Sequence, residues 1–89
     1  MATAQTCVTA KPNPADQYIE LEYTLLFEKE DTFLKVWDAQ GRQVETWHIG
    51  RSSRGLQLLD TRRLGTGIYI VELVQEGVQV FSGKFIVRH

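Results

Sequence analysis

Eighty-nine residues with a hydrophobic fraction of 43% and a charged fraction of 24% describe one ordinary folded domain, with room for a single core and none for a second. A formal net charge of −1 excludes the strongly basic face that duplex binding demands, and no apolar run reaches the length of a membrane-spanning helix. The lone Cys7 cannot form an internal disulfide or a cysteine-based zinc site, and it reads as a small hydrophobe in an early strand.

Met1 to Ala10 lack the basic start and continuous apolar stretch of a secretory leader, so the chain is expected to be a piece of a longer precursor. Residues 1–5 read as linker and residues 6–89 as the folded domain. Thr6 to Ala10 suits a short strand that must stop at Pro12-Asn13-Pro14, where two prolines remove two backbone donors. The chain is expected to turn there and cross between sheets. Ile19, Leu21, Tyr23 and Leu25 then alternate with Tyr18, Glu20, Glu22 and Thr24, a period of two that sets one face packed and the other wet.

Thr32 to Trp37 is the next strand, with Leu34 and Val36 on one side and Phe33, Lys35 and Trp37 on the other. Asp38-Ala39-Gln40-Gly41 places aspartate first and glycine last in a type I turn, which predicts a hairpin closed by a glycine bulge, with Val44 to Ile49 returning. After the polar Gly50 to Gly55 loop, Gly55 to Asp60 supplies a short strand through Leu56 and Leu58. Beyond the Leu64-Gly65-Thr66-Gly67 turn, Ile68 to Val74 is apolar on both faces apart from Glu72. It reads as a central strand with Tyr69, Val71 and Leu73 in the core. Tyr69 is expected to be buried, its hydroxyl bonded to backbone as in a tyrosine corner. Gly77 turns the last hairpin, and Ser82-Gly83 invites a bulge that would switch the inward set from Val78 and Val80 to Phe85 and Val87. About seven strands without a helical period predict an all-β fold, an immunoglobulin-like antiparallel β-sandwich.

No catalytic machinery is legible. His48, Ser52 or Ser53, and Asp60 are the only residues from which a nucleophilic triad could be assembled, and no nucleophile elbow or oxyanion motif surrounds the serines. His48 and His89 show no metal-ligand spacing with the scattered carboxylates, and Gly65-Thr66-Gly67 precedes a strand, so it offers no helix N-terminus to a phosphate. No cofactor is expected. The charges divide unevenly, with four basic and eight acidic side chains in residues 1–45 against six and three in residues 46–89. Arg51, Arg54, Arg62 and Arg63 are too few for a nucleic-acid surface and read as solvated loop arginines. Trp37, Trp47, Tyr18 and Phe81 would be the stacking residues of a carbohydrate-binding module, the alternative reading. Core or inter-strand packing accounts for most of them, because a core this small needs at least one tryptophan.

In order, Pro12-Asn13-Pro14-Ala15, the alternating strand to Leu25, Leu34-Lys35-Val36-Trp37-Asp38, Gly41-Arg42-Gln43-Val44, Leu64, Gly67-Ile68-Tyr69 and Gly83-Lys84-Phe85-Ile86-Val87 resemble a known family. It is the type A C-terminal sorting domain of proteins exported by the type IX secretion system of the Bacteroidota. The match runs from about Lys11 to His89; Trp37, Gly65 and the basic Gly50 to Gly55 loop depart from the usual pattern. The resemblance implies a non-enzymatic transport signal carried in cis by a parent cargo protein. It implies transit through the periplasm, then the cell surface or exterior, with no nucleic acid and no membrane insertion. The implied partners are the outer-membrane translocon and the shuttle and sortase components, the sortase cleaving before or near residues 1–10. The surface read by them would comprise Gly41, Arg42, Val44, Gly67, Tyr69, Lys84, Phe85, Ile86, Val87 and Arg88. The alternative is a non-catalytic accessory or carbohydrate-binding module of an extracellular enzyme.

Overall fold

The computed structural model describes residues 5–89. Of the expected linker, residues 1–4 lie outside the described residues, and Gln5 is exposed ahead of the first strand. Seven strands follow: β1 (Cys7–Lys11), β2 (Tyr18–Thr24), β3 (Thr32–Asp38), β4 (Gln43–His48), β5 (Arg54–Asp60), β6 (Gly67–Gln75) and β7 (Val78–Val87). They pair antiparallel into a three-stranded sheet, β1-β2-β5, and a four-stranded sheet, β4-β3-β6-β7. The immunoglobulin-like sandwich is borne out with a three-plus-four division, since β4 stays beside its hairpin partner β3.

The period-two readings set the core. Ile19, Leu21, Tyr23 and Leu25 from β2 and the residue beyond it meet Leu34 and Val36 of β3, Tyr69, Val71 and Leu73 of β6, and Phe85 and Val87 of β7, all buried. β6 is central, as expected. Its second face is open, however, leaving Ile68 exposed and Ile70 and Val74 half-buried on the outside of the four-stranded sheet. In the β3–β4 hairpin the Gly41 N–H donates to the Asp38 carbonyl at 3.1 Å, and Gly41 adopts φ +85°, the left-handed bulge position that its sequence place required. The buried polar groups Thr61 and Gln75 donate to the carbonyls of Asp16 and Phe27, so neither is left unpaired.

One expectation is corrected. The bulge in β7 is at Val80, because Leu73 pairs with Phe81 while Val74 pairs with Gln79. Val78 and Val80 are therefore exposed, and Phe81, Gly83, Phe85 and Val87 take the inward places. Gly83 serves packing instead: a Cβ there would meet the Phe81 ring at 3.1 Å. The expected strand through Leu56 and Leu58 is present as β5, with these two leucines facing solvent and Leu59 entering the core opposite Ile19.

Candidate functional site

The four-stranded sheet brings the sequence-nominated residues to one end. Asp38 at the end of β3 pairs with Tyr69 near the start of β6, and Gly67 pairs with Val87 at the end of β7. The Gly41–Arg42 turn, Gly67 and Arg88 therefore share that end, although they lie far apart in sequence. Lys84, Ile86 and Arg88 are exposed at alternate positions leading to it. Tyr69, Phe85 and Val87 lie beneath, buried, with the Tyr69 and Phe85 rings stacked at 5.7 Å. The side chains of these three lie under the exposed residues, and half-buried Val44 packs partly against the core.

Local chemistry fixes the turns. The Tyr69 hydroxyl donates to the Gly65 carbonyl at 2.7 Å, the expected tyrosine corner, and so holds the turn before β6. Asp38 accepts N–H bonds from Arg42 and Gln40, and its second oxygen takes the Arg42 Nε at 2.8 Å. The Arg42 backbone bond, helped by its guanidinium and the Gln40 N–H, holds the Asp38 carboxyl below its ordinary range. Arg42 is thus exposed but partly committed to its own turn.

The last strand is less open than an unpaired edge would be. Ala15 donates to the Ile86 carbonyl at 2.8 Å and accepts from the Arg88 N–H at 2.7 Å, while the Asn13 side chain accepts from the Ile86 N–H at 2.9 Å. The segment around Pro12 and Pro14 crosses between the sheets, as expected, and covers this edge with one parallel bridge. Between the bulge at Val80 and this cover, the alternation of an antiparallel ladder leaves the groups of Ser82 and Lys84 facing outward.

His89 adds a fastening that sequence reading missed. Its ring nitrogens lie 2.7 Å from an Asp16 carboxylate oxygen and 2.8 Å from the Leu64 carbonyl, and its N–H donates to Thr66 Oγ1. Both ring partners are acceptors, so only the imidazolium satisfies both. The Asp16 bond first, and the Leu64 carbonyl second, raise the His89 pKa above its ordinary value near 6.5. A raised folded-state pKa gives stability that is fully present below the unfolded value and is lost as pH rises through the folded one. His89→Gln is therefore expected to lower the melting temperature more at about pH 5.5 than at about pH 8.5. Equal losses at both values would show that the ring is not held as a cation.

The candidate triad does not assemble. His48 Nε2 lies 2.9 Å from the Glu30 carbonyl, Ser52 donates to the Arg54 carbonyl, and Asp60 is paired with Arg62. Nor do the four aromatics form a sugar platform. Trp47 and Phe81 pack against the core, Tyr18 lies on the other sheet, and Trp37 stands on the outer face of the four-stranded sheet, its indole N–H donating to Glu72 at 3.0 Å.

The family model for the secretion system C-terminal sorting domain matches residues 10–88. The chain belongs to this family. It is a C-terminal sorting signal for type IX secretion, carried in cis by a cargo protein that is exported to the cell surface or beyond. Sorting domains are not an enzyme family, and the accessory-module reading is not favoured. No significantly similar curated protein was found. Among solved structures, CopC from Methylosinus trichosporium OB3b is similar at 18% identity and a TM-score of 0.48, over 96% of this chain and 91% of that one.

Proposed function

We propose that the outer-membrane translocon of the type IX system reads this sorting domain on the outer face and the Gly41–Gly67 end of its four-stranded sheet. In this reading the domain, residues 6–89, transits the periplasm with its cargo. A surface sortase later cuts before or near residues 1–10. One observation carries the choice of surface: Lys84 and Ile86 on β7 and Arg88 just beyond it rise at alternate exposed positions and lead to the end that holds Gly41, Arg42 and Gly67. They present positive charge beside Ile68 and Ile86, an apolar pair directly opposite one another. Charge orients an incoming partner while apolar surface supplies affinity. Phe85 and Val87 anchor the strand from below.

The test fuses the chain behind a reporter with a signal peptide in a type IX-competent cell. Lys84→Gln with Arg88→Gln is expected to leave the melting temperature within about 2–4 °C, because both side chains are exposed. Export of the reporter is expected to fall sharply. Wild-type export by the folded variant would overturn the role of these charges and move the search to the turns at Gly41 and Gly67.

A further inference from the structure

Among the described residues each sheet has two edges, and three of the four are guarded. β7 is covered by Asn13 and Ala15 and is bulged at Val80; β4 pairs across a register shift; β1 is short and runs into Pro12. Such devices prevent strands from pairing edge to edge. β5 has none of them. Among the described residues no strand or bridge pairs with its outer side. Between Arg54 and Asp60 it contains no lysine, proline or bulge, and its Leu56 and Leu58 are 54% and 58% exposed.

The direction of its backbone groups can be assigned. The Ser53 carbonyl and the Thr61 N–H bond toward β2, so odd-numbered residues of β5 face β2 and even-numbered ones face outward. Leu56, Leu58 and Asp60 thus carry outward-facing N–H and C=O groups, as does Arg54, whose carbonyl already accepts from the Ser52 hydroxyl at 2.9 Å, and the four side chains share the outer face of the sheet.

We infer that β5 is a self-complementary edge through which two copies of this domain pair, antiparallel about Gln57, to join their three-stranded sheets into one. In that register Leu56 of one copy opposes Leu58 of the other, and Arg54 opposes Asp60, twice each by the two-fold symmetry. The opposed residues are those with outward backbone groups, as the hydrogen-bonded pairs of an antiparallel ladder must be. The leucines form a strip across the junction and opposite charges close both ends, where a register shifted by one residue would lose both matches. Arg54 makes no ion pair within its own chain among the described residues, so its charge is free for the partner. The Arg62 guanidinium, bonded to Asp60 at 2.7 Å, holds that carboxyl ionised well below the usual range. One strand edge buries less than a standard interface, so the dimer is weak and depends on concentration.

Sedimentation equilibrium of the full chain from about 10 µM to about 1 mM tests this pairing independently of any export assay. The wild type is expected to dimerise across that range. Arg54→Asp leaves both ends of β5 acidic and Asp60→Arg leaves both basic, so each variant alone is expected to dimerise at least about tenfold more weakly. Both residues are exposed, so the folds persist, which circular dichroism checks. An equimolar mixture of the two variants restores opposite charges at both ends and is expected to recover association. A wild type that stays monomeric at about 1 mM overturns the proposal and leaves β5 to some other strand. Dimers insensitive to either substitution, or a mixture no tighter than its components, overturn it as well.

Discussion

Phe85→Ala is expected to lower the melting temperature by more than about 12 °C and to abolish export of a fused cargo along with the fold. Phe85 is fully buried, faces Tyr69 across the β6–β7 ladder and stacks on its ring. Truncating a buried phenylalanine costs about 3–5 kcal/mol, since the apolar transfer energy is lost and the cavity closes only in part. A domain of this length has about 4–13 kcal/mol in total. The ring also steadies Tyr69, whose hydroxyl holds the Gly65 turn, so the same change loosens the end of the sheet proposed for recognition. Thermal melting followed by circular dichroism, beside the export assay, separates this variant from the Lys84 and Arg88 changes, which should lose export while keeping the fold. A melting temperature within about 4 °C of wild type would show that β7 is not anchored by this ring.

Where one short-range rule acted alone, the sequence was readable. Alternation placed Ile19, Leu21 and Tyr23 inward because β2 has one buried face, and burial of an entire face leaves one register. Asp38 and Gly41 announced their hairpin because only a glycine sits easily at φ +85°. Where two rules competed, the reading failed or was left open. Ser82-Gly83 looked like a bulge by composition, but Gly83 is needed bare beneath Phe81, and the extra residue was displaced to Val80. In β5 the apolar content of Leu56, Leu58 and Leu59 fits either face. Only pairing with β2, a partner more than thirty residues away in the chain, decides that Leu59 alone is buried.

For the candidate surface, residue identity was legible and exposure was not. Of the residues nominated with the family resemblance, Tyr69, Phe85 and Val87 are buried, and Arg42 is bonded to Asp38. Motif resemblance cannot separate a residue kept for packing from one that meets a partner, because both belong to the same ordered pattern. The cover on β7 was equally hidden. Asn13 between two prolines signalled a turn, but not that its side chain would reach Ile86, 73 residues on. Such long-range bonds leave no periodic trace. His89 shows no metal-ligand spacing in the sequence, and its bonds to Asp16 and the Leu64 carbonyl become visible only once the sandwich brings the residues just before β2 beside the end of β7.

Gly55→Val is expected to destabilise the domain by about 2–3 kcal/mol, opposite in sign to what strand propensity predicts. Glycine in a strand interior normally costs stability, and valine is a good strand former, so an unhindered replacement would be a gain of about 0.5–1 kcal/mol. Gly55 pairs directly with Tyr23 on β2, and the Tyr23 ring lies across it on the inner face. A Cβ at residue 55 would sit 2.6 Å from the ring's Cζ and closer still to its hydroxyl oxygen, well inside contact distance. The ring must therefore move, and it is only 9% exposed, packed with the core, so its displacement opens space that nothing fills. The missing side chain of Gly55 is thus the seat of an aromatic ring, which covers the bare backbone in return. A double-mutant cycle separates this from a general intolerance of β5. In a Tyr23→Ala background, itself weakened, Gly55→Val is expected to be neutral or stabilising by urea denaturation, because the clashing atoms are gone. The same loss in both backgrounds would mean that Gly55 is required for its backbone and not for the ring above it.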